Sequence, residues 1–126
     1  MENFTIDKKD KYTLVTIHVE KLDSRVSPIL KSELVVINAG GEKNIIIDLN
    51  ECRYCDSSGL SAILIGNRLC KNENGTFVLS GLQDSVSKLI SISQLDTVLQ
   101  ITPTVDEAVQ LLYMEEVERD LDEDKE

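Results

Sequence analysis

Apolar and polar residues change their spacing several times along the chain, and each change marks an element. Phe4 and Ile6 alternate with polar neighbours, which predicts a short opening strand. Asp7-Lys8-Lys9-Asp10-Lys11 reads as a turn. Tyr12 to Val19 then reads as a second strand, with Val15, Ile17 and Val19 on one face and Tyr12, Leu14, Thr16 and His18 on the other. The two runs pair as a hairpin. Ser27-Pro28 opens a helix, because a Ser hydroxyl can cap free N–H groups and Pro loses nothing at the first position. Ile29, Leu30, Leu34 and Ile37 follow at helical spacing, and Gly40-Gly41 ends the run.

Asn44-Ile45-Ile46-Ile47-Asp48-Leu49 is apolar without clean alternation, the mark of a strand buried on both faces. A polar stretch from Asn50 to Asp56 leads into a helix that opens at Ser57-Ser58-Gly59-Leu60 and stops at Asn72 to Gly75. Thr76 to Leu79 is the next strand, Val86, Leu89, Ile90 and Ile92 line a short third helix, and Val98 to Ile101 is a brief strand. Thr104-Val105-Asp106-Glu107 has the Thr-x-x-Glu form of a capping box, ahead of Ala108, Val109, Leu111 and Leu112. The order β-β-α-β-α-β-α-β-α predicts an α/β fold. Its sheet is mixed and mostly parallel, with the hairpin as an antiparallel edge and the helices packed on it.

A length of 126 residues fits one domain, and such a chain buries enough surface to need no metal or disulfide staple. With no Trp, two Phe and three Tyr, the core must be aliphatic. The net charge of −10 is uneven: Glu115 to Glu126 holds eight acidic residues against Arg119 and Lys125. This divides the chain into a domain over residues 1–114 and an acidic tail over 115–126. The tail reads as a solvated extension that continues the last helix for a turn or two and then becomes disordered. Neither part carries the clustered Lys and Arg that bind a phosphate backbone, so nucleic acid and anionic membrane surfaces are poor candidate partners. The opening MENFTIDKKDKY has no apolar run, and no stretch approaches the roughly 18 apolar residues of a membrane span. Three cysteines, an odd count, fit a reducing compartment. A cytoplasmic chain with no direct membrane insertion is expected.

The chemistry concentrates where the buried strand gives way to the second helix. A helix N-terminus offers unpaired N–H groups and a partial positive charge, and so favours a phosphate. Ser57 and Ser58 stand there beside Asp56, and Gly59 takes side-chain bulk away from the approach. Asp56 or Ser57 can also serve simply as the helix cap. The run Asp48-Leu49-Asn50-Glu51-Cys52-Arg53-Tyr54-Cys55-Asp56-Ser57-Ser58-Gly59-Leu60 resembles the signature of STAS domains, the fold of bacterial anti-sigma factor antagonists. The element order, Leu22-Asp23 after the second strand and the closing Thr104 to Ala108 extend the resemblance over about residues 3–114. Two departures stand out. No glycine precedes Leu22-Asp23, and the glycine common before the last strand is replaced at Ser93 or Gln94.

The resemblance implies a protein-binding switch rather than an enzyme, with no cofactor. Its partner would be a serine kinase that doubles as an anti-sigma factor. In the family, the second hydroxyl of the motif is phosphorylated, which is Ser58 here. The unphosphorylated form would bind the anti-sigma factor and free the sigma factor, and the phosphorylated form would be released. Asp56, Ser57, Gly59 and Leu60 would shape the docking surface together with Asp23 and Ser24. A second reading is a constitutive STAS subunit of a lipid-transport or other membrane-associated complex. A third is a thiol oxidoreductase using Cys52-x-x-Cys55, although the first cysteine of such motifs sits at the helix N-terminus and here both precede it. A zinc site would need Cys70 and His18 without recognisable spacing, and a serine hydrolase would need His18 as its base.

Overall fold

The computed structural model describes residues 2–124. Strands β1 (Phe4–Lys8) and β2 (Thr13–Ile17) form the antiparallel hairpin, with Phe4 opposite Ile17 and Ile6 opposite Val15. Helix α1 (Ser27–Ala39) leads to β4 (Ile45–Asp48), α2 (Ser57–Asn72) to β6 (Phe77–Ser80), α3 (Asp84–Ile92) to β7 (Gln100–Thr102), and α4 (Val105–Asp124) closes the chain. The main sheet runs β1-β2-β4-β6-β7, and every pairing after the hairpin is parallel. This is the mixed, mostly parallel α/β fold that the periodicity predicts. A two-residue pair, β3 (Lys21–Leu22) with β5 (Tyr54–Cys55), stands apart from that sheet and is also parallel.

Two apolar layers flank the sheet. Ile45, Ile47, Phe77 and Leu79 point to the side covered by α1, α2 and α3, where Leu30, Leu34, Ile63, Val86 and Ile90 are buried against them. Ile46 and Val78 point the other way and are closed over by Ala108 and Leu112 of α4. The unbroken run of β4 is therefore buried on both faces, as expected of a central parallel strand.

Several local expectations change. Ser27 is not a cap: the residue before α1 is Val26, with no side-chain bond to the helix end. Ser27 is the first helical residue, buried, and its hydroxyl donates to the Asp23 carbonyl at 2.7 Å. Ile29 and Ile92 face outward, with Ile92 80% exposed, because each lies off the stripe that meets the sheet. The last strand starts at Gln100, after a 3-10 turn over Leu95–Thr97 occupies the preceding segment. The acidic segment extends the last helix further than a turn or two, and residues 125–126 lie outside the described residues. Thr104 caps α4 by accepting from the Glu107 N–H at 3.2 Å, and the helix continues unbroken through residue 114 to Asp124. Glu115, Glu116 and Arg119 are partly buried and bonded to the sheet side, which fixes this part of the helix in place.

Candidate functional site

At the C-terminal end of β4 the chain turns through Leu49 and Cys52, both fully buried, and enters β5. The β3–β5 pairing then draws the loop Asp23–Ser27 against the first turn of α2. Asp56 is the N-cap of α2. Its Oδ1 accepts from the N–H groups of Ser58 at 3.0 Å and Gly59 at 3.1 Å, satisfying two of the orphan donors of the helix end. The same oxygen accepts the Ser58 hydroxyl at 2.6 Å. The Ser58 bond is the first cause that holds the Asp56 carboxyl below its ordinary value of 3.8, and the Gly59 N–H adds to it.

Ser58 is half-buried and Ser57 is exposed. The Ser58 Oγ also lies 3.2 Å from the Ser27 Oγ. Each hydroxyl has one hydrogen. That of Ser27 goes to the Asp23 carbonyl and that of Ser58 to Asp56, at the shorter distances. The contact between the two oxygens therefore positions Ser58 by packing more than by a hydrogen bond. Beyond Ser27, Arg25 closes on Asp23 with Nη2 at 2.8 Å from Oδ2 and Nε at 3.2 Å from the same oxygen. This guanidinium holds the Asp23 carboxyl below its ordinary value. The corner thus places the ionised Asp56 beside the half-buried Ser58 hydroxyl, with the Asp23–Arg25 pair next to them.

Of the residues expected to shape a docking surface, Asp23, Ser24, Asp56 and Ser57 reach the outside. Gly59 and Leu60 do not. Leu60 is 6% exposed and belongs to the core. Gly59 is turned inward: a Cβ there would stand 2.6 Å from both the Cys55 Sγ and the Leu22 carbonyl oxygen, so glycine permits helix–strand contact and leaves a partner's approach unaffected. Two members of the corner, Arg25 and Ser27, do not emerge from the motif. Arg25 is the one cation between Lys21 and Lys31, which is a signal the sequence carries. Ser27 had none, being 31 positions from Ser58.

The thiols sit in a setting that disfavours redox chemistry. Cys52 and Cys55 are buried and free, and burial is the main cause that raises both, Cys55 to about 12. A thiol so raised is almost wholly protonated at neutral pH and a poor nucleophile. Cys55 instead packs against Gly59 as a small apolar group. His18 has Thr5 at 2.6 Å on Nε2 and Glu51 at 2.8 Å on Nδ1, so neither ring nitrogen is bonded to Ser57 or Ser58, as a hydrolase base would be. Among the described residues no group of three or more His, Cys, Asp or Glu could hold a metal ion. Nor is any helix among them long and apolar enough to cross a membrane.

A sequence profile of the STAS domain matches residues 3–108. The chain belongs to the STAS domain family. Within the family, it is 24% identical over 109 residues to the anti-sigma-B factor antagonist of Bacillus subtilis (strain 168), covering 86% of this chain and 99% of the relative. It is 29% identical over 101 residues to the anti-sigma-B factor antagonist of Listeria monocytogenes, covering 79% and 89%. The solved structure of the Bacillus cell fate determinant SpoIIAA in its phosphorylated form shares the STAS fold at a TM-score of 0.67 and 18% identity, covering 85% of this chain and 96% of that one.

Proposed function

We propose that this STAS domain is an anti-sigma factor antagonist working as a phosphorylation-controlled protein-binding switch in the cytoplasm. Its partner is an anti-sigma factor that is also a serine kinase, and Ser58 is the acceptor. The observation that carries this reading is the Ser58 hydroxyl. It is partly accessible at the first turn of α2 and held by Asp56 in one orientation. Relatives of the chain are anti-sigma factor antagonists, and the run around Ser58 resembles the signature of that family.

The physics of the switch is local. Phosphorylation removes the hydrogen that Ser58 donates to Asp56 and adds about −1.5 to −2 charges. The new group meets the Asp56 carboxylate at close range and Asp23 beyond it, so it turns outward, toward a docked partner. There an unpaired or like-charged group costs several kcal/mol, a factor of roughly 10² to 10⁴ in affinity. The cap on α2 survives, because the Ser58 and Gly59 N–H groups still donate to Asp56. The protein performs no chemistry of its own in this scheme; the kinase supplies the phosphoryl group.

Incubation with the cognate kinase and ATP, followed by phosphopeptide mapping, tests the assignment. Modification of Ser58 alone is expected. Phosphate on Ser57, or elsewhere with Ser58 untouched, would overturn it. Replacing Cys52 and Cys55 together by Ala or Val should leave partner binding within about threefold, since both are buried packing groups.

A further inference from the structure

Helix α4 has two apolar sides, and only one is covered. Ala108 and Leu112 are buried against Ile46 and Val78. Tyr113, Met114, Val117 and Leu121 are 44%, 62%, 57% and 56% exposed. Spacings of three and four residues align these four as one stripe along the outer side of the helix. Its middle is a shallow hollow of about 340 Å³ lined by Tyr113, Met114, Val117 and Glu118. A contiguous apolar stripe on an otherwise acidic helix marks an interaction surface, where scattered single residues would not.

The helix cannot roll to hide this stripe. On its inner side Glu115 accepts from the Thr76 hydroxyl at 2.7 Å, and Glu116 accepts from the Asn44 amide at 2.7 Å and from Arg119 at 2.8 Å. Rotation would break these bonds, strip the buried Thr76 hydroxyl of its partners and cost the Asn44 amide one of its two acceptors. The stripe is held outward.

Charge identifies what covers it. Arg119 is the only cation between Val105 and Asp122, and it turns inward to Thr76 and Glu116. The borders of the stripe are acidic. Glu118 lies one turn beyond Met114, and Asp120 lies on the row of Tyr113; neither forms an ion pair among the described residues. A second copy of a chain with net charge −10 would set acidic border against acidic border, and an anionic bilayer would meet the same repulsion. An amphipathic helix with Lys and Arg beside its apolar stripe matches both features. We infer that the outer face of α4 docks such a basic amphipathic helix from a protein partner. This surface is separate from the Ser58 corner and does not depend on its phosphorylation.

The probe is a synthetic helical peptide of about 18 residues with Leu on one stripe and Lys elsewhere, together with a twin carrying Glu for Lys. Binding to the full chain is read by fluorescence anisotropy. The Val117→Gln/Leu121→Gln variant removes apolar surface, keeps the charge and touches no core position; circular dichroism checks its fold. The Leu/Lys peptide should bind wild type at least about tenfold tighter than the variant, and the Leu/Glu twin should not bind. Added salt should weaken the complex, since the borders are exposed. Equal affinity for wild type and variant would reduce the effect to bulk charge and overturn the inference, as would no binding at all. Two further results would overturn it by naming another occupant. One is a dimer in sedimentation equilibrium that the variant dissolves. The other is wild-type binding to neutral phosphatidylcholine vesicles that the variant loses.

Discussion

Two polar clusters lie at opposite ends of the parallel strands, and they are wired differently. At the N-terminal ends, Asn44 just before β4 accepts from the Thr76 N–H just before β6 at 2.8 Å. It also donates to the Lys11 carbonyl at 3.0 Å and to Glu116 at 2.7 Å. Thr76 and Arg119 extend the set, with Arg119 Nη1 donating to the Thr76 hydroxyl at 3.0 Å. Asn44 and Thr76 are both nearly or fully buried, and the bonds tie together four segments distant in the sequence. At the C-terminal ends, the Ser58 corner is half-open, and most of its bonds join residues two to four positions apart. Removing one member of the first cluster strands buried groups that water cannot reach. Removing the Ser58 hydrogen strands nothing of the kind. The first cluster is built to hold α4, and the second to be altered without unfolding.

Mutations should separate the two sharply. The largest effect is expected at Gly75→Ala, beside the first cluster, where a Cβ would stand 1.8 Å from the Lys43 carbonyl oxygen and 2.6 Å from its carbon. Backbone must move to admit it, and a loss of more than about 4 kcal/mol in urea denaturation is expected. Next is Asn44→Ala, which leaves the Thr76 N–H without its acceptor and Glu116 without its amide donor, with a loss of about 3 kcal/mol. Losses under about 1 kcal/mol at either position would erase the distinction between the clusters.

Acid provides a third contrast. The Asn44 amide first, and then the Arg119 guanidinium, bond the ionised form of Glu116 and hold its carboxyl below the ordinary value of 4.5. A carboxyl lowered on folding contributes stability that is complete above its unfolded value and is lost as pH falls through the folded one. Stability of the wild-type chain should therefore decline as pH drops below 4.5, and Glu116→Gln should flatten that decline. An unchanged acid slope in Glu116→Gln would remove the linkage. The smallest effect concerns neither cluster. Gln94 sits at φ 60° and ψ 23°, a left-handed conformation that costs an ordinary side chain about 1 kcal/mol, so Gln94→Gly should raise stability by up to about that amount.

Much of this was legible before any coordinates. Strand and helix order followed from periodicity, and the cap-and-hydroxyl arrangement of Asp56 and Ser58 followed from a local motif whose bonds are themselves local. Of Ser93 and Gln94, where the resemblance leads one to expect a glycine, only Gln94 has the positive φ that glycine adopts without strain. What stayed hidden depends on distance in the chain. Strands β3 and β5 are two residues each, too short to show a period, and exist only because they pair. Ser27 looked like a cap, and only the fold brings it to Ser58. The acidic segment looked solvated because its composition gives no hint that Glu115, Glu116 and Arg119 find Thr76 and Asn44, 39 to 72 positions away. Gly59 and Leu60 lie within the motif, yet the β3–β5 pair turns them inward.

The contrast between the clusters rests on Ser58 being alterable, and one measurement addresses that directly. Titration calorimetry of the wild-type chain, Ser58→Ala and Ser58→Asp against the purified anti-sigma factor, with thermal melts alongside, reads binding and folding together. A carboxylate carries about one charge against the −1.5 to −2 of a phosphate. Ser58→Asp should therefore bind roughly ten- to a hundredfold more weakly, while Ser58→Ala binds like wild type and stays bound when ATP is added. Both variants should melt within a few degrees of wild type, because Asp56 still caps α2 through the Ser58 and Gly59 N–H groups. Equal affinity of Ser58→Asp and wild type, with both folded, would contradict the switch and favour a constitutive STAS subunit.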